Sequence, residues 1–433
     1  MTSLPDDTPY DALETRPPAQ RDAAFWSALR HIAAHAKAYA PAWAERLRGI
    51  DPEDLTDPEA LARIPVLRKG ELLELQRASC ARGEDVFGGH ATVGWTRRQP
   101  HPATALRVFG SPGPIYEPQG HQPDYWRMAR ALHAAGLRPG ELLHNSFSYH
   151  FTPAGAMLEG GAHQIGCTVF PAGVGQTDLQ VQAMADLGAH CYGGTPSFLG
   201  ILIERAQTLG VDLPNLRKAL VSGEALSKNL LERLDALGIT ALQCYASADV
   251  GLMAYETRSR DGLFVDESVR IDIVGPDDRP LPDGEIGEVV VTILNPDYPL
   301  MRFGTGDLSA VIPGSRQTAS PCGRTQMRIK GWMGRADQAT KVRGLFVHPQ
   351  QVLDILRRHP QLKFVRLEVS HRHGEDHMNL LCSADHPTPE LTLAVQQTVR
   401  DLTKLRAEVT WHPAASWPQD ARTIVDLRPP PTR

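Results

Sequence analysis

The sequence predicts an α/β protein: a large N-terminal domain with parallel or mixed sheets, a small antiparallel β sub-domain, and a separate α+β C-terminal domain. Three observations carry this expectation. Between residues 106 and 245, short apolar runs alternate with helical segments. From about residue 262 the pattern changes to strands joined by tight turns, and from about 336 a final stretch interleaves helices and strands. Strand, loop and helix in repetition indicate a parallel α/β sheet, whereas paired strands around Pro-Asp turns indicate antiparallel pairing. The expected boundaries are 1–335, with the antiparallel sub-domain over about 262–335, and 336–433.

The chain opens with helices. Over residues 21–47 Phe25, Leu29 and Ile32 recur at helical spacing, and a second helical stretch follows over 69–75. Strand-like runs at 167–170, 190–192, 219–221 and 242–245 each lead into a loop rich in Gly, Ser, Thr or Pro. In parallel sheets ligands sit beyond the carboxyl ends of the strands, so "GGTPS" (193–197), "SGEALS" (222–227) and "YASADVG" (245–251) are expected along one rim. "VRIDIVGPDDRPLPDGEIGEVVVTIL" supplies two strands around its turns. The last domain predicts a helix over 349–358, strands over 364–370 and 378–384, a helix over 389–403, and strands near Val409 and Ile424. Thr388 before Pro389 is a strong helix start, and Leu391, Val395, Val399 and Leu402 form one stripe.

Composition narrows the function classes. Apolar residues make up 42% and charged residues 22%, as in ordinary globular proteins. A net charge of -5 argues against a nucleic-acid surface. The acidic, proline-bearing start lacks the basic and apolar regions of a signal peptide, and no apolar run is long enough to span a bilayer, so a cytoplasmic location is expected. Six cysteines without C-x-x-C pairs suggest neither a zinc knuckle nor a disulfide framework.

The order of "LVSGEALS", "CYASADVG", "LPDGEIGEVVVTIL", "LMRFGTGDLS", "PCGRT" and "MGRADQATKVRGLFVHPQQV", preceded by "LARIPVLRKGEL", resembles the phenylacetate-CoA ligase branch of the adenylate-forming enzymes. The resemblance covers nearly the whole chain. It implies a large N-terminal α/β domain, an antiparallel sub-domain and a mobile C-terminal domain, and a two-step reaction in which a carboxylate attacks ATP to give an acyl-adenylate and CoA then displaces AMP. It further implies Gly223 and Glu224 beside the adenine, Tyr245 as a stacking face, Asp307 for the ribose hydroxyls with Arg335 as its partner, and Asp337 as the hinge. Lys341 and Gly344 would sit in the loop that lets the pantetheine arm pass. From the residues alone, Asp307 also reads as a turn aspartate and Lys341 as a solvated lysine.

Three departures stand against that pattern. In residues 111–118, "SPGPIYEP" keeps Ser111, Gly113 and Pro118 of a phosphate-holding loop but places prolines at 112 and 114 and Glu117 where a lysine is expected. Prolines remove backbone donors and flexibility, and an acid repels phosphate. In the tail, "QDARTIVDLR" places Gln419 and Asp420 at the glycine and catalytic lysine, leaving Arg422 as the nearest cation and Asp426 in place. In "YASAD", Ala248 replaces a hydroxyl residue and Asp249 a metal-binding glutamate, which weakens magnesium binding without excluding it.

By resemblance the acid pocket lies beneath "NSFSYHFTPAG" and "CYGGTPS", with Tyr149, His150, Phe151 and Gly194 as its residues. His150 is a candidate base or donor beside a carboxylate or thioester, and equally a hydrogen-bonded wall. Cys191 and Cys244 lie near the rim with no positioned base in the sequence. Three classes remain open: an acid-CoA ligase with impaired adenylation; an enzyme of this fold acting on a preformed CoA thioester without ATP; and a silent homologue that binds a ligand or a partner chain. CoA or an acyl-CoA is the expected cofactor, ATP or AMP with magnesium the doubtful one, and a homodimer the family-level expectation.

Overall fold

The computed structural model describes residues 7–96, 101, 103–336, 340–342, 345–372, 375–417 and 422–428. The chain divides into two compact units: residues 1–305 with 310–331, and residues 306–309 with 332–433.

The larger unit is built on an eight-stranded mixed sheet. Five parallel strands run in the order Thr168–Phe170, Leu142–Asn145, Cys191–Gly194, Lys218–Val221 and Thr240–Ser247. Three antiparallel strands, Gly251–Glu256, Leu263–Val265 and Arg328–Ile329, extend it at one side. Each parallel connection carries a helix: Ala154–Ile165, Thr177–Asp186, Pro196–Leu209 and Lys228–Ala236. Local chemistry starts two of these. Thr195 accepts from Phe198 N with Pro196 at the first helical position, and Ser227 accepts from Leu230 N. The chain leaves strand Leu142–Asn145 to one side for Thr168–Phe170 and returns on the other side for Cys191–Gly194, so the sheet reverses direction at Asn145. Such a switch point leaves a crevice beyond the strand ends.

The 191–194 strand shows why two glycines end it. A Cβ on Gly193 would lie 2.5 Å from Leu158 Cδ2, so glycine lets the helix Ala154–Ile165 settle on the sheet.

The antiparallel unit expected over 262–335 is divided between two sheets. Val269–Val274 and Gly287–Ile293 pair antiparallel in a four-stranded sheet with Phe303–Ser309 and the short strand Leu67–Arg68. Leu263–Val265 and Arg328–Ile329 join the large sheet instead. Val289, Val290 and Val291 are all buried, so this second sheet is covered on both faces and the simple alternation of a half-exposed sheet is lost. At the N-terminus the helical stretch expected over 21–47 forms two helices, Pro18–Tyr39 and Pro41–Arg46, because Pro41 cannot continue the first. The next stretch runs to Lys69–Ala81.

The smaller unit has its own core, in which Val395 and Val399 of the helix Pro389–Thr403 pack with Leu367, Val369 and Leu380 of the strands. Its sheet runs Glu408–Trp411, Glu375–Ala384, Leu362–Arg372 and Ile424–Asp426. Thr388 caps the helix by accepting from Leu391 N.

Candidate functional site

The three expected loops leave neighbouring parallel strands; the first two touch each other, and the second touches the strand that leads into the third. Ser197 Oγ donates to Glu224 Oε1 at 3.0 Å, Leu226 N donates to Gln243 Oε1 at 3.1 Å, and Ser222 Oγ donates to the Cys244 carbonyl at 2.8 Å. Gly223 turns the chain out of its strand at φ +81°, a conformation that favours glycine. Glu224 is exposed, and Tyr245 is half-buried with its hydroxyl donating to Thr305 Oγ1 at 3.3 Å.

A mostly apolar cavity of about 470 Å³, open mouth included, lies at this rim. Phe147, Met128, Met157 and Leu158 form one wall; Ser222, Gly223, Cys244 and residues 246–248 form the other. Thr152, Pro153 and Ala154 close it at the start of the helix. Ala248, the residue in place of a hydroxyl, is part of this wall. Burial pushes the Cys244 thiol up to about 12, so it is a wall and not a nucleophile. The other rim cysteine, Cys191, is also buried, and burial pushes its thiol up to about 12.

The cavity passes the expected pocket residues by. None of Tyr149, His150, Phe151 and Gly194 lines it. Residues 150–151 turn outward: Phe151 has φ 59°, is 86% exposed, and its carbonyl accepts from Gly110 N at 2.8 Å. His150 is exposed and held through its backbone, with its N–H donating to Ser148 Oγ at 3.1 Å. The Tyr149 hydroxyl accepts from Asn145 Nδ2 at 2.8 Å, and burial makes it a weaker acid than an ordinary tyrosine. Gly194 is buried against the ring of Tyr192. The wall is supplied instead by Phe147 and by 152–158, whose helical spacing turns Ala154, Met157 and Leu158 inward.

Residues 111–118, expected as a loop, form the turn and second strand of a hairpin. Arg107–Ser111 pairs antiparallel with Ile115–Gln119. Helix Lys69–Ala81 fastens it: Gln76 accepts from Tyr116 N at 2.8 Å and donates to Tyr116 O at 2.9 Å, while Arg77 Nη2 donates to Gly113 O at 2.7 Å. Ser111 and Glu117 are both buried, and the Ser111 hydroxyl donates to Glu117 Oε1 at 2.6 Å. Glu117 therefore faces the interior, where it meets Asp249. Burial, then the Asp249 charge, raise the Glu117 carboxyl to about 8, against the pull of Ser111 and Lys69. Asp249 is buried too, and its Oδ2 accepts from Lys69 Nζ at 2.8 Å. Sequence reasoning missed Lys69, Gln76 and Arg77; pairing 180 positions apart leaves no local signal.

These groups fit a divalent cation poorly. Glu117 Oε2 and Asp249 Oδ1 are buried and accept no hydrogen bond among the described residues, but the lysine ammonium already holds the other Asp249 oxygen. Among the described residues, no group of three or more His, Cys, Asp and Glu could hold a metal. Asp249, expected as a weak magnesium ligand, has Lys69 as its positive partner in this structure.

In the smaller unit Asp307 accepts from Arg335 Nη1 at 2.9 Å and from Trp332 Nε1 at 3.2 Å, so the expected Asp307–Arg335 pair is formed. Lys341 lies on the strand Thr340–Val342, opposite Phe346. Asp337, Gly344, Gln419 and Asp420 lie outside the described residues. Arg422 is exposed, and its carbonyl accepts from Arg366 Nε at 3.0 Å.

Comparison with known proteins agrees with this architecture. Residues 146–293 match the family described as AMP-binding enzyme. The chain is 27% identical to a phenylacetate-coenzyme A ligase of Thermus thermophilus, over 96% of this chain and 98% of that protein. It is 29% identical to a phenylacetate-coenzyme A ligase of Pseudomonas putida, over 83% of this chain and 81% of that protein. Among solved structures, an open conformation of 2-hydroxyisobutyryl-CoA ligase in complex with 2-HIB-AMP and CoA superposes with a TM-score of 0.80 at 23% identity, covering 97% of this chain and 96% of that one. The family match and the relatives make the chain similar to the class of AMP-binding enzymes. Within that class the chain is phenylacetate-CoA ligase-like over nearly its full length.

Proposed function

We infer that this chain is an enzyme of the acid-CoA ligase type, handling a carboxylic acid, aromatic by similarity, or its CoA thioester, with ATP-dependent adenylation impaired. The observation that carries the reading is the apolar cavity at the switch point, bounded by Phe147, Met157 and Leu158 on one side and Gly223 and Ala246 on the other. Such a wall suits an apolar acyl group, and a strand-end rim with Gly223 and Tyr245 suits a nucleotide beside it. The end-to-end similarity to phenylacetate-coenzyme A ligases supports the same substrate class.

A second reading, action on a preformed thioester without ATP, is favoured by one feature. Ser111 and Glu117, which by resemblance would stand at the outer phosphates, are turned inward in the hairpin. Calorimetric titration with phenylacetate, phenylacetyl-CoA and CoA, followed by a pyrophosphate-release assay across carboxylic acids, separates the readings. Acid-dependent pyrophosphate release supports the ligase. Thioester binding without release supports the second reading. Absence of binding by every acyl ligand removes both.

A further inference from the structure

Holding the β- and γ-phosphoryl groups of a triphosphate requires free N–H donors, hydroxyls or cations where they would lie. The hairpin has few to give. Pro112, Pro114 and Pro118 carry no N–H. Gly110 N donates to Phe151 O at 2.8 Å and Tyr116 N to Gln76 Oε1 at 2.8 Å. The Ser111 hydroxyl donates to Glu117 Oε1 at 2.6 Å. Beside the hairpin, Lys69 is held by Asp249 at 2.8 Å and Arg77 by Gly113 O at 2.7 Å.

The arrangement is also rigid. Gln76 clamps Tyr116 through both its N–H and its carbonyl, and Arg77 holds the turn through Gly113 O. Opening the hairpin to embrace phosphate would break these bonds and separate Ser111 from a buried carboxyl. Leaving such a buried group unpaired is destabilising. Lys69, meanwhile, already neutralises Asp249 at its Oδ2.

We propose that the 107–119 hairpin restricts the nucleotide taken at this rim to a monophosphate or its acyl ester, held without a divalent cation, with Glu117 and Lys69 as the specificity-determining residues. This rests on the reading that the rim binds an adenine nucleotide beside an acyl group, and it names which phosphorylation state the site accepts. A monophosphate presents only the group nearest the rim, where Gly223 and the 245–251 loop stand. The further phosphoryl groups of a triphosphate would meet a closed hairpin and an acidic pair already supplied with its cation.

The test is calorimetric titration of the full chain with AMP, with ATP, and with ATP plus magnesium, alongside phenylacetyl-CoA. The expected result is AMP binding about tenfold or more tighter than ATP, with magnesium changing the ATP affinity by less than about twofold. Titrated above pH 8, where the wild-type carboxyl is ionised, Glu117→Gln is expected to reduce the AMP-to-ATP preference. ATP binding as tightly as AMP, a gain with magnesium, or no AMP binding at all would overturn the proposal, and the wild-type titration gives these answers even if the variant fails to fold. A folded Glu117→Gln protein with unchanged preference also overturns it. Phenylacetyl-CoA is read separately: if it binds while magnesium-ATP binds tightly, only this inference falls, and if no acyl ligand binds, the proposed function falls instead.

Discussion

At the residue scale, Glu117 shows how burial reverses a reading based on residue type. In the sequence it stands as an anion facing phosphate; in the fold it is an acid with little exposure, hydrogen-bonded to Ser111 and pressed against Asp249. Its carboxyl titrates near 8, above its ordinary value of 4.5. The folded state therefore holds a proton that the unfolded chain releases, and stability falls as pH rises between about 4.5 and 8. One such group contributes a slope of at most about 1.4 kcal/mol per pH unit. Glu117→Gln should flatten this decline, measured as urea midpoints at pH 5 and pH 8; an undiminished decline would show that other groups cause it.

At the element scale, two pieces set the site: the hairpin with its supporting helix, and the helix Ala154–Ile165 that walls the cavity. Ala154 is half-buried at the mouth, so a larger side chain there can enter the cavity without repacking the core. Ala154→Trp should weaken phenylacetyl-CoA binding by about tenfold or more, with Tm nearly unchanged. Unchanged affinity would place the acyl group elsewhere. Gln76→Ala removes both clamps on Tyr116 and should destabilise the protein by about 1–2 kcal/mol, read from chemical unfolding. A neutral effect would mean that the hairpin stands without its clamp.

At the scale of the whole molecule, the two units carry separate cores, and their responses to damage should be separate too. Val395 is fully buried in the smaller core. Val395→Ala should cost that unit about 1–3 kcal/mol and lower one calorimetric transition while leaving the other in place. A single transition that moves as a whole would show that the units unfold together.

Much of the architecture could be read from local pattern. The helix Pro389–Thr403 appears with the bounds expected from Thr388, Pro389 and its apolar stripe, because capping and periodicity are chemistry within a few residues. Four of the five parallel strands and the three rim loops were legible for the same reason, each strand a short apolar run and each turn declaring itself in Gly, Ser or Pro; Leu142–Asn145, which ends in His and Asn, was not expected. What local pattern could not supply was which side chains meet. Prolines and a glycine at 112–114 read as a loop, yet a tight turn between paired strands needs the same residues. His150 and Phe151 read as pocket residues, yet a positive φ at Phe151 turns that loop outward and leaves Phe147 and Leu158 to make the wall.

The sequence by itself thus determined the order of most elements, the three loops along one rim and the phenylacetate-CoA ligase-like character, because propensity, capping and motif order are carried by neighbouring residues. Only the tertiary structure decided the partners of Asp249. Lys69 and Glu117 arrive from positions 180 and 132 residues earlier in the sequence, and burial fixes both the proton and the charge they share. Those pairings depend on packing across the chain, which no stretch of sequence contains.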